Sequence, residues 1–370
     1  MHVLVTADTI GGVWTYAREL VTGLVRRGLR VTLVSFGEIP AAAEQTQWLE
    51  AVKGVDFRAT AFRLEWMQEA RDDLDASSEY LRAIIDEVRP DLLHSNQFAY
   101  GALDLDIPKV VVAHSDVVSW WASVKGEVPQ DIPWMAWYRD VVQRGLQQAT
   151  AVVAPSRWMM ENVRRFYCEP ASAHVIYNGR SPLLFNPHIS KNERIVSVGR
   201  LWDSGKQVSL LLHGKAAMPI TIAGTEQHPD EVFREGSPFA FVDRERVHVL
   251  GQQSEGQLRS LYGRGAIYAA TSRYEPFGLA PLEAALSRCA LVANDIPSFR
   301  EIWGDAACYF EANRADSLFE ALNRLAEDRT QRLIYANLAY NRARQYFNAD
   351  RMVDEYLNLY QKLGVREQAA

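Results

Sequence analysis

Two glutamates stand out in the stretch SRYEPFGLAPLEAALS, residues 272–287, because the rest of that segment has the composition of a protein core. Glu275 and Glu283 are separated by seven residues. Since Pro281 is tolerated only in the first turn of a helix, we predict that a helix begins near Gly278. Glu275 then precedes the helix, and Glu283 lies about one and a half turns inside it. The two carboxylates can therefore contact different parts of one ligand.

The start of that helix is itself a binding feature. In a helix that begins there, the backbone N–H groups of Phe277, Gly278 and Leu279 have no partner within the helix. Such groups bind a phosphate or a sugar hydroxyl. The alternative is that the glutamates cap the helix or form ion pairs, which is common for one acid and less satisfactory for two.

Two cations follow a predicted strand in VGRLWDSGKQV. The guanidinium of Arg200 offers forked hydrogen bonds, and the ammonium of Lys206 is a mobile point charge. Together they suit a diphosphate. The alternative is a pair of solvated charges at the end of a strand.

Paired glycines open the first predicted helix, in TADTIGGVWTY. The backbone of Gly11 and Gly12 can approach an anion, which the N-terminus of a helix also favours. The third glycine of the dinucleotide fingerprint G-x-G-x-x-G is absent, which argues against an oxidoreductase of that type. The alternative is a tight turn between a strand and a helix.

His114 and several tryptophans are candidates in the first half of the chain. His114 ends the predicted strand in VVVAHSD, and Trp120 and Trp121 follow it, while Trp14 lies beside the paired glycines. Tryptophan rings stack on sugars or lie at a lipid interface. We predict acceptor contacts for these three tryptophans, with packing in the core as the alternative.

An Asp–x–Asp pattern occurs at Asp104 and Asp106, in ALDLDIP. Two spaced acids do not by themselves define a magnesium site. We interpret the pair as part of a solvated loop and expect neither a metal nor any other cofactor.

Alternating strands and helices position these residues. Short apolar strands separated by helical segments are typical of parallel sheets covered on both faces, and the alternation restarts after Asn178. We predict helices near residues 14–27, 66–88 and 206–215, a hinge within 176–193, and only helices from about 315 to 363. The candidate residues fall at the carboxyl ends of strands, where such sheets bind ligands.

Composition narrows the class further. The 370 residues carry a net charge of −6 and the pI is about 5.8, which argues against a nucleic-acid binder with a broad basic surface. The three cysteines have no metal-type spacing, so we expect a reduced, cytoplasmic setting. No signal peptide or spanning helix is predicted. Amphipathic surfaces leave peripheral contact with the inner face of a membrane open.

The segment SRYEPFGLAPLEAALSRCALVANDIPSFREIWGDAACYF resembles the signature of retaining family-4 glycosyltransferases, including its Glu–x7–Glu motif. VGRLWDSGK, VVAPS, YNG and the paired glycines match the same family in the same order. One departure is Arg180 in NGRSPLLF, where many relatives carry a small or apolar residue.

The resemblance implies the GT-B fold, an α/β architecture of two Rossmann-like doubly wound domains that face each other across a cleft. Residues 1–182 would form an acceptor domain, completed by a C-terminal helix at about 350–370. Residues 183–349 would form the domain that binds a nucleotide-sugar donor. The oligomeric state is left open.

The resemblance also implies roles for individual residues. Arg200 and Lys206 would bind the donor diphosphate, Glu275 the hydroxyls of the donor sugar and Glu283 the ribose. Gly12 would lie near the distal phosphate. His114 matches the histidine beside the donor sugar.

We therefore expect a metal-independent, retaining hexosyltransferase of polysaccharide biosynthesis. It would move a hexose from a nucleoside-diphosphate sugar to a carbohydrate or glycolipid acceptor, with UDP-hexose such as UDP-glucose favoured and GDP-mannose next. The alternatives are a nucleotide-sugar epimerase of similar fold and an inactive homologue that binds sugar nucleotides.

Overall fold

The chain divides into two compact units in a computed structural model that describes residues 1–9, 11–37, 39, 43–226 and 246–365. The N-terminal unit comprises Met1–Gly179 together with the chain from Ala349, and the C-terminal unit comprises Arg180–Asn348. The division falls inside the stretch predicted as a hinge. No helix of the described residues is both long enough and apolar enough to cross a lipid bilayer.

The N-terminal unit is built on a parallel sheet, to which the described residues contribute seven strands in the order β3-β2-β1-β4-β5-β6-β7. Strands such as β1 and β4 are buried along their whole length, which explains their continuous apolar sequences. The strands are β1 His2–Asp8, β2 Arg30–Phe36, β3 Val55–Ala59, β4 Leu92–Ser95, β5 Lys109–Val112, β6 Ala151–Ala154 and β7 Ala173–Val175.

Helices cover both faces of this sheet. They are α1 Gly12–Arg26, α2 Ala43–Ala51, α3 Arg71–Val88, α4 Val117–Lys125, α5 Pro133–Gln148 and α6 Arg157–Phe166. Side chains of α1 pack on one face and side chains of α3 on the other, so each face has its own hydrophobic core. The start of α4 is fixed by Asp116, whose carboxylate accepts a hydrogen bond from the Ser119 amide at 2.8 Å.

The C-terminal unit repeats the design with a second parallel sheet. Its described strands lie in the order β10-β9-β8-β11-β12-β13. In this doubly wound arrangement successive strands are added toward one edge from β8 to β10 and toward the other edge from β11 to β13. The strands are β8 Ile195–Val198, β9 Ile220–Ala223, β10 Val247–Val249, β11 Ile267–Ala270, β12 Ala290–Asn294 and β13 Cys308–Phe310.

The helices of this unit are α7 Glu255–Arg264, α8 Leu279–Leu286, α9 Pro297–Trp303, α10 Ala315–Glu327 and α11 Arg329–Tyr346. Helix α7 begins with the capping box that the sequence indicates, since Ser254 and Gln257 each bond to the other's backbone N–H. The chain after Asn348 returns to the N-terminal unit as α12, Ala349–Lys362. There it packs against α1 and adds apolar side chains to the core: Met352, Val353, Tyr356, Leu359 and Tyr360.

Two predicted helices differ in the structure. Residues 66–70 precede α3 as turns, because Glu69 adopts a left-handed backbone with φ 54°. Between residues 206 and 215 the chain forms only a short 3-10 helix, Val208–Leu212. Gln207 also has a left-handed backbone, with φ 49°, and this conformation interrupts an α-helix.

Candidate functional site

Arg200 and Lys206 follow β8 on a loop that is organised by Asp203. Arg200 Nη2 donates to Asp203 Oδ2 at 2.7 Å, and the guanidinium lies 5.0 Å from the centre of the Trp202 ring. The Arg200 side chain is 43% exposed while that of Asp203 is 6% exposed. The loop therefore holds a solvent-accessible cation on a buried acid.

Asp203 also shapes the backbone of the same loop. Its Oδ1 accepts the Gly205 N–H at 2.8 Å, and its carbonyl accepts the Lys206 N–H at 2.9 Å. Reasoning from sequence missed this residue, although an acid three positions after the arginine was the available signal. Asp203 fixes the spacing between the two cations.

Lys206 meets the first glutamate of the Glu–x7–Glu motif. Its Nζ lies 2.6 Å from Glu275 Oε2, and the hydroxyl of Ser272 donates to the same oxygen at 2.9 Å. Thr271 Oγ1 donates to the Lys206 carbonyl at 2.9 Å. The structure thus brings the loops after β8 and β11 together, as the positions at strand ends predicted, and adds Ser272 and Thr271 to the site.

Helix α8 begins at Leu279, directly after Gly278, as predicted. Gly278 has φ 94°, a conformation that glycine adopts without steric cost. A Cβ atom at this position would approach Pro281 Cγ to 3.0 Å and Glu275 Cγ to 3.2 Å. Phe277 is buried, with its ring 5.4 Å from that of Phe347. The glycine therefore allows the loop that carries Glu275 to lie against the first turn of α8.

The second glutamate of the motif pairs with Arg180. Arg180 Nε lies 2.9 Å from Glu283 Oε1, and the two side chains are 3% and 14% exposed. Burial, followed by the charge of nearby Glu283, raises the pKa of Tyr262 well above its ordinary value. Each glutamate of the motif is therefore matched by a cation of the same unit.

A pair of asparagine side chains braces the loop after β11. Asn294, at the end of β12, donates from Nδ2 to the Ser272 carbonyl at 3.1 Å and to Asn313 Oδ1 at 3.0 Å. The Asn313 N–H returns a bond to Asn294 Oδ1 at 3.0 Å. Sequence reasoning missed both residues. Their contribution is to hold the segment that presents Ser272 and Glu275.

His114 lies in the N-terminal unit just beyond β5, where the sequence placed it. Burial lowers the pKa of His114 to about 3, so the imidazole is neutral near pH 7. Its Nε2 lies 2.7 Å from Asn96 Oδ1, and Asn96 Nδ2 donates to the Thr6 carbonyl. Because that second bond fixes the orientation of the amide, His114 carries its proton on Nε2 and keeps Nδ1 as an acceptor. Tyr16 packs edge-on at 4.5 Å between ring centres.

The paired glycines begin α1 as expected, with Gly11 before the helix at φ 85° and Gly12 as its first residue. Trp14 lies in the hydrophobic core of the N-terminal unit. It is 7% exposed and packs with ring centres 6.0 Å from both Trp48 and Phe57. This burial favours the core-packing alternative for Trp14.

Trp120 and Trp121 lie on α4, half-buried, with ring centres 6.4 Å apart. Their contact with an acceptor stays a prediction. Asp104 and Asp106 are exposed in the loop before β5. Across the described ranges, no group of three or more histidine, cysteine, aspartate or glutamate side chains is arranged to hold a metal ion.

Two family models together match most of the chain. Glycosyltransferase Family 4 matches residues 10–182, and Glycosyl transferases group 1 matches residues 186–342. The two matches correspond to the N-terminal and C-terminal units.

The chain also resembles individual proteins along most of its length. It is 26% identical over 296 residues to alpha-maltose-1-phosphate synthase of Mycobacterium tuberculosis, with 71% of this chain and 75% of the relative covered. It is 23% identical over 378 residues to O-antigen chain mannosyltransferase C of Escherichia coli, with 98% of each covered. The structure of Anabaena HepE in complex with UDP-glucose matches with a TM-score of 0.74 at 17% identity, covering 98% of this chain and 100% of that one. The chain belongs to the family-4 glycosyltransferases and has their GT-B fold.

Proposed function

We propose that this glycosyltransferase is a retaining, metal-independent hexosyltransferase that uses a nucleoside-diphosphate sugar. The observation that carries the proposal is the pair of cations after β8, Arg200 and Lys206, held by Asp203 and Glu275 beside the start of α8. Fixed positive charges and helix N–H groups are suited to bind a diphosphate.

Charge balance explains what these groups do in the reaction. When the bond between sugar and phosphate breaks, the sugar becomes positively charged and the diphosphate gains negative charge. Arg200 and Lys206 stabilise the leaving diphosphate without a metal ion, because their charges are in place before the bond breaks. Glu275 is held at Oε2 by Lys206 and Ser272, and its Oε1 is proposed to accept sugar hydroxyls.

We propose that the acceptor hydroxyl attacks the sugar from the same face that the diphosphate leaves, so that the anomeric configuration is retained. A phosphate oxygen takes the proton of the acceptor hydroxyl as the new glycosidic bond forms. Glu275 is not assigned as a covalent nucleophile, since one of its oxygens is already shared by Lys206 and Ser272. His114 is proposed to act as a neutral hydrogen-bonding group through Nδ1, because its pKa of about 3 keeps it uncharged.

UDP-hexose is the favoured donor, and GDP-mannose is second. HepE of similar fold is bound to UDP-glucose, while the full-length relative from Escherichia coli is named a mannosyltransferase. A carbohydrate or glycolipid is the proposed acceptor, with Trp120 and Trp121 as stacking groups. The competing activities are epimerisation of the donor and binding of sugar nucleotides without turnover.

The first test combines binding with turnover. In a thermal-shift panel of UDP, GDP, ADP and their sugars, the true donor raises the melting temperature because it binds the folded state. With that donor and an accepted sugar, Lys206→Ala is expected to lower turnover by about 100-fold or more. Full wild-type turnover is expected in EDTA.

Lys215→Ala is the matched control, since Lys215 is an exposed lysine of the same unit. Wild-type turnover in Lys206→Ala would contradict the role of the diphosphate site. Loss of activity in EDTA that Mg²⁺ or Mn²⁺ restores would contradict metal independence. Conversion of the donor without an acceptor would favour the epimerase.

A further inference from the structure

We propose that Arg180 is a positioning residue that holds Glu283 against the donor ribose and so sets the preference for ribonucleotides over 2′-deoxyribonucleotides. The inference rests on the proposed function, since it concerns the nucleotide of the same site. It adds Arg180, a residue to which the family resemblance assigns no role.

The contact is direct and buried. Arg180 Nε lies 2.9 Å from Glu283 Oε1, with 3% of the arginine side chain and 14% of the glutamate side chain exposed. A buried charge pair is costly to form and is retained only when geometry and further bonds compensate for lost hydration. Arg180 therefore places a positive charge 2.9 Å from a largely buried carboxylate.

Arg180 is itself held from two sides. Its backbone N–H donates to the Phe347 carbonyl at 3.1 Å, and its guanidinium lies 5.6 Å from the centre of the Phe185 ring. Phe185 is buried. Because both the backbone and the side chain of Arg180 are anchored, the arginine restricts the rotamer of Glu283 as well as neutralising it.

Orientation matters for ribose because its two hydroxyls are adjacent and rigidly spaced. An ionised carboxylate offers about four acceptor positions on two oxygens. A carboxylate can accept from both hydroxyls only if it is held at one angle, and the ion pair of Arg180 with Oε1 supplies that restraint. A nucleotide without the 2′-hydroxyl forfeits one of those charge-assisted bonds.

The test measures affinities for UDP and 2′-deoxy-UDP, or for the corresponding pair of whichever base the thermal-shift panel selects, by isothermal titration calorimetry. We expect the wild type to favour the ribonucleotide by about 10- to 100-fold, as for one hydrogen bond to a charged group. Arg180→Met is expected to reduce this ratio to within about threefold by the same reasoning. Glu283→Gln should reduce it similarly, and the double variant should not reduce it further, because both changes remove one unit.

Arg332→Met is the matched control. Arg332 is also a buried arginine of the C-terminal unit, 7% exposed and 2.8 Å from Glu193, but it pairs at the amino end of β8. This variant is expected to lose stability and keep the wild-type ratio. Arg180→Lys keeps a charge, and we expect it to fold and give an intermediate ratio because lysine lacks the rigid planar guanidinium that restrains the angle of the carboxylate.

The outcomes separate this inference from the proposed function. If the wild type binds none of the nucleotides, the proposed function fails and the role of Arg180 falls with it. The inference alone is overturned if the wild type binds the ribonucleotide and the deoxyribonucleotide with equal affinity. It is also overturned if Arg180→Met lowers both affinities by the same factor and so keeps their ratio. Should Arg180→Met not fold, an unchanged ratio in Arg180→Lys together with a collapsed ratio in Glu283→Gln also overturns it.

Discussion

At the level of single residues, the sequence alone does not show which cation pairs with each acid of the site. Glu275 and Glu283 are unusual in their apolar segment, and we predicted from the sequence that both contact a ligand. In the structure Lys206 meets the first and Arg180 the second, at 2.6 Å and 2.9 Å. Arg180 lies more than a hundred positions from its partner, and nothing in residue type or spacing links the two.

Glu65 is a buried acid that no sequence motif marked. It is 3% exposed, and its Oε1 accepts the Phe98 N–H at 2.8 Å, while Oε2 lacks a hydrogen-bond partner within the described residues. Burial raises the pKa of Glu65 to about 7. The folded N-terminal unit therefore favours the neutral carboxyl of Glu65.

Glu65→Gln is predicted to stabilise the protein at pH 8 and not at pH 4.5. With a folded pKa of about 7 and an ordinary value of 4.5, the wild-type group favours folding below pH 4.5. This contribution of Glu65 to the free energy of unfolding is lost as the pH rises through 7. Glutamine stays neutral, so the gain at pH 8 is on the order of 3 kcal/mol.

Urea titrations of both proteins at pH 4.5, 6 and 8 provide the measurement. The difference in free energy of unfolding should grow across that range. A difference that is the same at all three values would mean that Glu65 titrates normally in the folded protein.

At the scale of elements, strands were easier to predict than the backbone between them. Continuous apolar runs identified the strands, and Pro281 with Gly278 located the start of α8. The helix predicted at 206–215 was wrong because its residue types suit a helix, whereas the left-handed Gln207 and the hydrogen bonds of Asp203 impose a tight loop. Such loop geometry depends on contacts with other loops, which a local pattern does not contain.

Gly278→Ala is predicted to weaken both the fold and nucleotide binding. A side chain at φ 94° is strained, and its Cβ would crowd Pro281 and Glu275. We expect a loss of about 1–3 kcal/mol in the free energy of unfolding and an increase in the dissociation constant for the donor nucleotide. Urea unfolding and calorimetry measure the two effects.

Gly256→Ala is the control for this substitution. Gly256 lies on α7 in a helical conformation, and the nearest atom to an added Cβ is 4.0 Å away. Alanine there is expected to stabilise the helix by about 1 kcal/mol. Equal nucleotide affinity in both variants would refute the claim that Gly278 shapes the site.

At the scale of the whole molecule, the sequence predicted two doubly wound halves, and both parallel sheets are observed. The resemblance further implied that the C-terminal helix completes the first half. Helix α12 does belong to the N-terminal unit. Tyr360, one of its residues, bonds to the buried His94 with 2.7 Å between the hydroxyl and Nδ1. What the sequence did not reveal was this connection to a histidine more than 250 positions earlier.

Deletion of residues 349–370 is predicted to unfold the N-terminal unit and to leave the C-terminal unit folded. The helix contributes five buried apolar side chains, each worth about 1.5–3 kcal/mol. Their sum is comparable to the whole stability of a typical domain. Hydrogen exchange should show loss of protection in β1 and β4 with protection kept in β8 and β11.

A chain that lacks only residues 366–370 serves as the control and should match the wild type. Retained protection in β1 and β4 after the longer deletion would show that α12 is dispensable for the N-terminal core. Loss of protection in β8 and β11 would show that the two units do not unfold independently.

The return of α12 has a consequence for biosynthesis. Domains usually fold in the order in which the ribosome releases them. Here the ribosome must make all of Arg180–Asn348 before it makes the helix that closes the core of Met1–Gly179. The C-terminal unit is therefore complete before the N-terminal unit. Until α12 is made, His94 lacks the hydrogen bond from Tyr360. A nascent polypeptide that stalls before the final helix leaves its first half unfinished, an exposed state that chaperones and proteases can recognise.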